Sequence, residues 1–289
     1  VVPSPRAPPK LSDKEKRAQE IASQLLQGSA QALDQVVQFK NKQWEDFLPD
    51  LISKERFCVD LIIVDGPWQV MDKYAFPRDH EWADVSYGLI SAHMANLLKP
   101  TGSVLVYYGF DQMSKWNAAM VGAGFEREAK IVVTMDPATL IRRKMANTRM
   151  INAHHEIMLF KKQGSGTKVT RNHAPKPFFM KGSYPTRANV IDMHVPPRHK
   201  LRDDDKKVVR KEEKSEEINQ ELLARFSNKG DVVLEPFAGS AAGSKAAIMA
   251  NRRWWGCEKD PYCFEHAQRV LAQFIGRQMT WGVLKKTEV

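Results

Sequence analysis

Two apolar runs, each ending abruptly at an acid, constrain this 289-residue chain more than any other feature. The first, Leu61-Ile62-Ile63-Val64, runs into Asp65-Gly66-Pro67-Trp68. The second, Val232-Val233-Leu234, runs into Glu235-Pro236-Phe237-Ala238-Gly239-Ser240. Short branched apolar runs bounded by turn-forming residues read as strands buried on both faces, the kind found in parallel sheets. In open α/β sheets, ligands bind where the carboxyl ends of such strands open into loops. Both acids therefore mark candidate functional loops on one edge of one sheet.

The residues around these runs alternate in the same sense. Residues 85–98 read as an amphipathic helix stopped by Lys99-Pro100-Thr101-Gly102, followed by a strand over Ser103–Tyr108 and a helix over Met113–Ala123. Lys130–Met135 and His155–Lys161 read as strands. Ile218–Phe226 and Ser244–Ala250 read as helices, Trp254–Glu258 as a short strand and Pro261–Phe274 as a final helix. Strands alternating with helices predict an α/β protein with a doubly wound, mostly parallel sheet. Upstream, residues 1–10 are Pro-rich. Residues 12–48 read as helical: Ser12 and Glu15 form a capping box, Ile21, Leu25 and Leu26 share a face, and Leu33, Val36, Val37 and Phe39 continue in a second helix. An N-terminal helical extension over 1–50 and one domain over 51–289 are expected.

Charge points to a polyanionic partner. The net charge is +10, and from Lys161 to Arg187 there are seven bases and no acid, with Phe178, Phe179 and Tyr184 among them. Bases interleaved with aromatics suit a loop that contacts nucleic acid, so Lys168, Arg171, Lys176, Lys181 and Arg187 are candidate nucleic-acid contacts. Arg142, Arg143, Lys144 and Arg149, in the loop between two predicted strands, join them. Residues 201–217 are almost wholly charged and read as an exposed linker. No run of about 18 uncharged apolar residues exists, so no membrane span is expected. The N-terminal stretch lacks the apolar core of a signal peptide. The three cysteines, Cys58, Cys257 and Cys263, are too few for a disulfide framework or a zinc site. A reducing, intracellular compartment is expected, with nucleus and cytoplasm left open.

The second loop has the marks of a cofactor site. Small residues let the backbone approach a ligand, and the N–H groups opening the following helix suit a polar or anionic group. Glu258 ends the next predicted strand 19 residues after Gly239. An acid at about that distance grips a ribose diol in nucleotide-binding folds. The chain has no Gly-x-Gly-x-x-Gly, which favours a smaller adenosine-containing ligand over a dinucleotide.

Glu235-Pro236-Phe237-Ala238-Gly239-Ser240, followed by Trp254-Trp255-Gly256-Cys257-Glu258, resembles the S-adenosylmethionine-binding region of the beta-class amino-methyltransferases of adenine N6 and cytosine N4. Glu235 stands where that family usually has Asp, and Ala241 where it has a final Gly. Asp65-Gly66-Pro67-Trp68 is similar to the family's catalytic Asp-Pro-Pro-Trp/Tyr, with Gly66 in place of the first Pro. The catalytic loop precedes the cofactor loop, which is the beta-class order. The resemblance implies a circularly permuted, seven-stranded methyltransferase sheet: a catalytic half over 58–162, a basic loop over 163–190, the linker at 201–217 and a cofactor half over 218–275.

It also implies residue roles. An exocyclic amine is a poor nucleophile because its lone pair is delocalised into the ring. Asp65 and the Gly66 carbonyl would accept its hydrogens, Trp68 would stack on an extruded base, and Pro67 completes the catalytic tetrapeptide. Asp65, Lys214, Glu235, Phe237, Gly239, Ser240 and Glu258 would hold S-adenosylmethionine. Trp68 is similar to the eukaryotic adenosine enzymes, which leans the substrate toward adenine in DNA or RNA, with a homo- or heterodimeric partner subunit in keeping with those relatives. Gly66 and Ala241 leave open a catalytically degenerate scaffold, and the shared fold leaves open cytosine N4. Tyr107, Tyr108 and Gly109 are candidate base-pocket residues. Trp254 and Trp255 stand between core packing and the adenine, and no metal cluster is evident.

Overall fold

The computed structural model describes residues 36–67, 84–135, 154–165, 172, 190–193 and 213–287. Its contacts separate residues 1–37, of which only Val36 and Val37 are described, from a unit running from Gln38 to Val289. In chain order the elements are β1 (Val37–Lys40), α1 (Trp44–Lys54), β2 (Val59–Val64), α2 (Asp84–Leu97), β3 (Leu98–Tyr107), α3 (Met113–Gly122), β4 (Phe125–Met135), β5 (His154–Lys162), β6 (Val190–Met193), α4 (Glu216–Phe226), β7 (Val232–Glu235), α5 (Ala242–Met249), β8 (Arg253–Cys257) and α6 (Pro261–Thr287).

The expected doubly wound α/β sheet is present. Its strand order is β1-β8-β7-β2-β3-β5-β4-β6, eight strands where seven are expected. The short edge strand β6 has no counterpart in the sequence reading; it pairs in parallel with Val132–Met135 of β4. β2 lies in the middle, parallel to β3 on one side and to β7 on the other. β5 runs antiparallel to both β3 and β4. The chain thus builds outward from β2 in one direction, then returns to build outward in the other. The crevice at such a switch point is where this architecture binds ligands.

β2 reads as a buried strand for a physical reason. Leu61, Ile62, Ile63 and Val64 are all buried, and each branched side chain enclosed this way contributes roughly 1.5–3 kcal/mol over an exposed one. Side chains alternate across the strand. Ile62 and Val64 join Val104 and Val106 of β3 and Val232 and Leu234 of β7 in one core layer. That layer is covered by Trp44, Phe47, Leu48 and Leu51 of α1, Ile90, Met94 and Leu97 of α2, and Trp116 and Met120 of α3. Leu61 and Ile63 point to the other face.

Helix α4 shows how the sequence sets an element that serves the site. Ser215 caps it by accepting the Ile218 N–H at 3.3 Å, Glu216 and Glu217 occupy the first turn and Arg225 the last. Both charge placements favour the helix dipole. Ile218, Leu222, Leu223 and Phe226 form its buried stripe. The cap starts the helix two residues before the expected Ile218.

The N-terminal reading needs correction where it is described. Val37–Lys40 is a strand, not the continuation of a helix through Val36, Val37 and Phe39. Val37 and Phe39 are buried while Lys40 is exposed, a period of two. The Phe39 ring packs against Phe264 at 4.6 Å and Trp254 at 5.6 Å, and the Lys40 carbonyl accepts the Glu258 N–H. A ready sheet edge overrides local helix preference here. The reading of residues 12–35 as helical lies outside the described residues.

Candidate active site

The β2–β7 register, Leu61 opposite Val233 and Ile62 opposite Leu234, brings the ends of the two apolar runs side by side. Asp65 and Glu235 therefore leave neighbouring strands at one edge, although 170 positions separate them in sequence. β8 lies beyond β7, so Glu258, just past its end, joins the same edge. A staple below holds this seam: Asp60 accepts the Val232 N–H at 2.9 Å and pairs with Lys99 at 2.8 Å.

Asp65, Gly66 and Pro67 are half-buried in the loop leaving β2. Lys214, the residue before the α4 cap, sends its Nζ to Asp65 Oδ2 at 2.5 Å; the two side chains are 9% and 25% exposed. The same ammonium lies 4.9 Å from the centroid of the Tyr107 ring. A short charge-assisted bond and a cation–π contact in a sheltered place fix Lys214 across the catalytic loop. Lys214 and Asp65 are 149 positions apart in sequence.

Glu235 is enclosed under the start of α5. A Cβ at Gly243 would sit 1.9 Å from its Oε1, so only glycine fits above the carboxyl group. Burial pushes its pKa up to about 8, and the charge of Asp65 pushes the same way. The Trp254 indole acts to lower it without its Nε1 meeting hydrogen-bond geometry with any acceptor. Glu235 is thus mostly protonated at neutral pH. The turn above it is tight: Gly239 has φ +53° and Ala241 has φ +56°, ψ +32°. Ala241 holds a left-handed conformation that glycine would adopt without a Cβ penalty.

Glu258 ties this turn to the next strand. Its Oε2 accepts the Gly239 N–H and its Oε1 the Asp260 N–H, both at 2.9 Å. It is 5% exposed. Phe237 is partly buried against the core, and Ser240 is buried. Trp254 and Trp255 are both buried; core packing is the arrangement seen. Tyr107 and Tyr108 are buried at the end of β3. Tyr108 donates to Glu156 Oε2 at 2.7 Å, and Lys130 pairs with the other oxygen at 2.9 Å. Burial and then the Glu156 bond hold the Tyr108 hydroxyl far above its ordinary pKa. Burial alone would raise Glu156; its bonds from Tyr108 and Lys130 bring it below the usual value.

Trp68, Arg142, Arg143, Lys144, Arg149, Lys168, Arg171, Lys176, Lys181 and Arg187 lie outside the described residues. The residues that bracket them differ in position. Thr134 pairs with His154, and Tyr107 with Ile157, so the chain leaves β4 and re-enters β5 at the catalytic edge on either side of Arg142–Arg149. Lys168 and Arg171 lie between Ser165 and Asn172, which are at the sheet's other end. Ser165 follows the end of β5, and Asn172 caps the C-terminus of α4, donating its Nδ2 to Ala224 and Ser227 carbonyls. Two amides absent from the sequence reading also support the site. Asn41 Nδ2 donates to the Glu258 carbonyl at 2.8 Å, and Gln112 Nε2 to the Pro67 carbonyl at 2.9 Å. Their partners lie 217 and 45 positions away, and no local pattern marks either residue. No group of metal-ligating side chains occurs among the described residues. No helix among them is long and apolar enough to cross a membrane.

Comparison with known proteins agrees with this geometry. Residues 59–269 match the N6/N4 DNA methylase family model. The Type II methyltransferase M.HpaI of Haemophilus parainfluenzae is 24% identical over 247 residues, covering 78% of this chain and 72% of the relative. Among solved structures, the M1.HpyAVI–SAM complex superposes with a TM-score of 0.59 at 20% identity, covering 81% of this chain and 98% of the other. The cytosine-N4-specific PvuII DNA methyltransferase superposes with a TM-score of 0.60 at 13% identity, covering 83% and 92%. A Thermus thermophilus protein described as a putative DNA modification methylase, complexed with S-adenosyl-L-methionine, gives 0.56 at 16% identity, covering 83% and 95%. The family match spans both acid-terminated strands and the seam between them, so the chain belongs to the N6/N4 DNA methylase family.

Proposed function

We propose that this chain transfers a methyl group from S-adenosylmethionine to the exocyclic N6 amine of adenine in DNA or RNA. The observation that carries this reading is the meeting of Asp65, Lys214 and the Glu235–Ser240 turn on one sheet edge. The residues present fit the cofactor: Glu258 ends the strand beside a left-handed small-residue turn, the arrangement suited to a ribose diol. Glu235, Phe237, Gly239 and Ser240 line the same turn, and Lys214 closes it toward Asp65. S-adenosylmethionine supplies an electrophilic methyl carbon on a sulfonium.

The chain's own part is to prepare the amine. The Asp65 carboxylate and the Gly66 carbonyl each accept one amine hydrogen, which draws the nitrogen toward tetrahedral geometry and returns its lone pair. Lys214 keeps the carboxylate from swinging away. The amine nitrogen would gain the methyl group as the methyl–sulfur bond breaks to leave a neutral thioether, and would then lose a proton to water, so that no dedicated base is required. Tyr108 and Glu156, bonded to one another, are not needed for that proton. Positioning and fixed charge carry most of the rate. Trp68 stacks on the extruded base, and Arg142, Arg143, Lys144 and Arg149 meet the backbone of the strand entering the catalytic edge.

The test is transfer of a labelled methyl group from S-adenosylmethionine to pooled single- and double-stranded DNA and RNA, with the product nucleoside identified by mass spectrometry. N6-methyladenine is the expected product. N4-methylcytosine would overturn the adenine assignment, and no transfer in any pool would overturn activity of this chain alone. Asp65→Ala should abolish transfer and leave cofactor affinity within about threefold, since Glu258 and the Glu235–Ser240 turn carry most of the cofactor contact; retained turnover would remove Asp65 from the amine.

A further inference from the structure

Gly66 is the weak point of the catalytic loop. Its carbonyl must be held still, yet glycine leaves φ free where proline would lock it. The neighbouring Gln112 is built as a clamp. It ends the 3₁₀ turn Phe110–Gln112 after β3 and occupies the cap position of α3, but its side chain makes no capping bond. It is 3% exposed.

Its amide is fully oriented. The Gly109 N–H donates to Oε1 at 3.1 Å, so the atom facing that donor is the oxygen. Nε2 therefore points the other way and gives one hydrogen to the Pro67 carbonyl at 2.9 Å and one to the Tyr87 hydroxyl at 3.1 Å. Tyr87, from α2, is buried and stands edge-on to Trp116 of α3, with ring centroids 4.9 Å apart at 87°. The end of β3 and helices α2 and α3 thus converge on one amide, whose remaining contact is the catalytic loop.

Holding the Pro67 carbonyl controls the residue before it. The pyrrolidine ring fixes φ of Pro67. With φ of Pro67 set by its ring, an anchor on the Pro67 carbonyl leaves fewer ways for the Gly66–Pro67 peptide, and so the Gly66 carbonyl, to turn. A following proline also disfavours the helical region at the residue before it. Resting on the methyl-transfer reading above, we propose that Gln112 is a positioning residue of the catalytic loop, restraining through the Pro67 carbonyl the loop that a proline ring at position 66 would restrain directly.

The test is a two-residue cycle. Gln112→Met keeps the length of the side chain and removes both polar atoms. It should lower kcat about 10- to 100-fold, the scale of a sub-ångström to 1 Å misplacement, while KM for S-adenosylmethionine stays within about twofold. Amide exchange in the peptide spanning residues 65–70 should rise. Adding Gly66→Pro, which places a φ-locking ring at that position, should recover at least tenfold in kcat and slow exchange again. Should Gln112→Met fail to fold, Gln112→Glu keeps the acceptor for Gly109 and loses its donor on ionisation, so its kcat should fall as pH rises. Wild-type kcat with unchanged exchange in Gln112→Met, or a double variant no better than the single one, overturns the proposal. Absence of methyl transfer by the wild type would overturn the proposed function instead, and the exchange data would still decide for or against the clamp.

Discussion

Replacing Glu235 by Gln should change the pH dependence of stability in a definite direction. The carboxyl group is enclosed beneath Gly243, and burial moves its pKa from 4.5 to about 8. A raised carboxyl pKa means that the unfolded chain ionises first. Stability from this group is therefore complete below pH 4.5, falls as pH rises, and is exhausted above about pH 8. The slope between those limits approaches about 1.4 kcal/mol per pH unit, which gives a loss of a few kcal/mol between pH 5 and pH 8. Glutamine has the same shape, keeps the contact with Gly243 and does not titrate. Urea unfolding of wild type and Glu235→Gln at pH 5, 6, 7 and 8 isolates the effect, because titrating groups that do not interact with Glu235 cancel in the difference. The two proteins should differ little at pH 5, and the variant should be more stable by about 3 kcal/mol or more at pH 8. Parallel curves would refute the reasoning and mean that the carboxylate is compensated where the structure leaves it enclosed.

Glu258→Ala should weaken S-adenosylmethionine binding by about 1–3 kcal/mol and also lower the unfolding free energy, since the Gly239 and Asp260 N–H groups lose their shared acceptor. Calorimetric titration and thermal unfolding check the two halves separately; unchanged affinity would detach Glu258 from the cofactor. Ala241→Gly should stabilise by about 0.5–1 kcal/mol, because glycine adopts φ +56° without the Cβ conflict. A lower thermal midpoint for that variant would show that the buried Ala241 methyl outweighs the backbone.

The site's main residues are legible in the sequence because they are punctuation. Asp65 and Glu235 each end an apolar run, and an acid at the end of a buried strand is visible without tertiary information. Glu258 is legible by its spacing from Gly239. Lys214 is reached only through family resemblance, since its ion pair spans 149 positions. β1 is misread because Val37-Gln38-Phe39-Lys40 is short and lies among good helix formers; only the exposed edge of β8 makes it a strand. β6 has four residues and the same difficulty. Gln112 is invisible for a different reason. A lone glutamine after a strand has no pattern, and its meaning comes from Pro67 and Tyr87, which arrive from two other elements.

The central seam has a consequence for synthesis. β2 pairs with β7, but β7 begins 168 residues after β2 ends. At about 5–20 residues per second, a ribosome would need roughly 8–34 s to make the partner strand. Throughout that interval Leu61-Ile62-Ile63-Val64 presents one open, apolar, largely β-branched edge, the kind that recruits strands from other chains. The basic segments and the charged linker are made during the same interval. The nascent chain therefore carries its stickiest edge together with its most highly charged stretches, and slow translation or a delayed β7 should show first as co-translational aggregation rather than as a less stable folded protein.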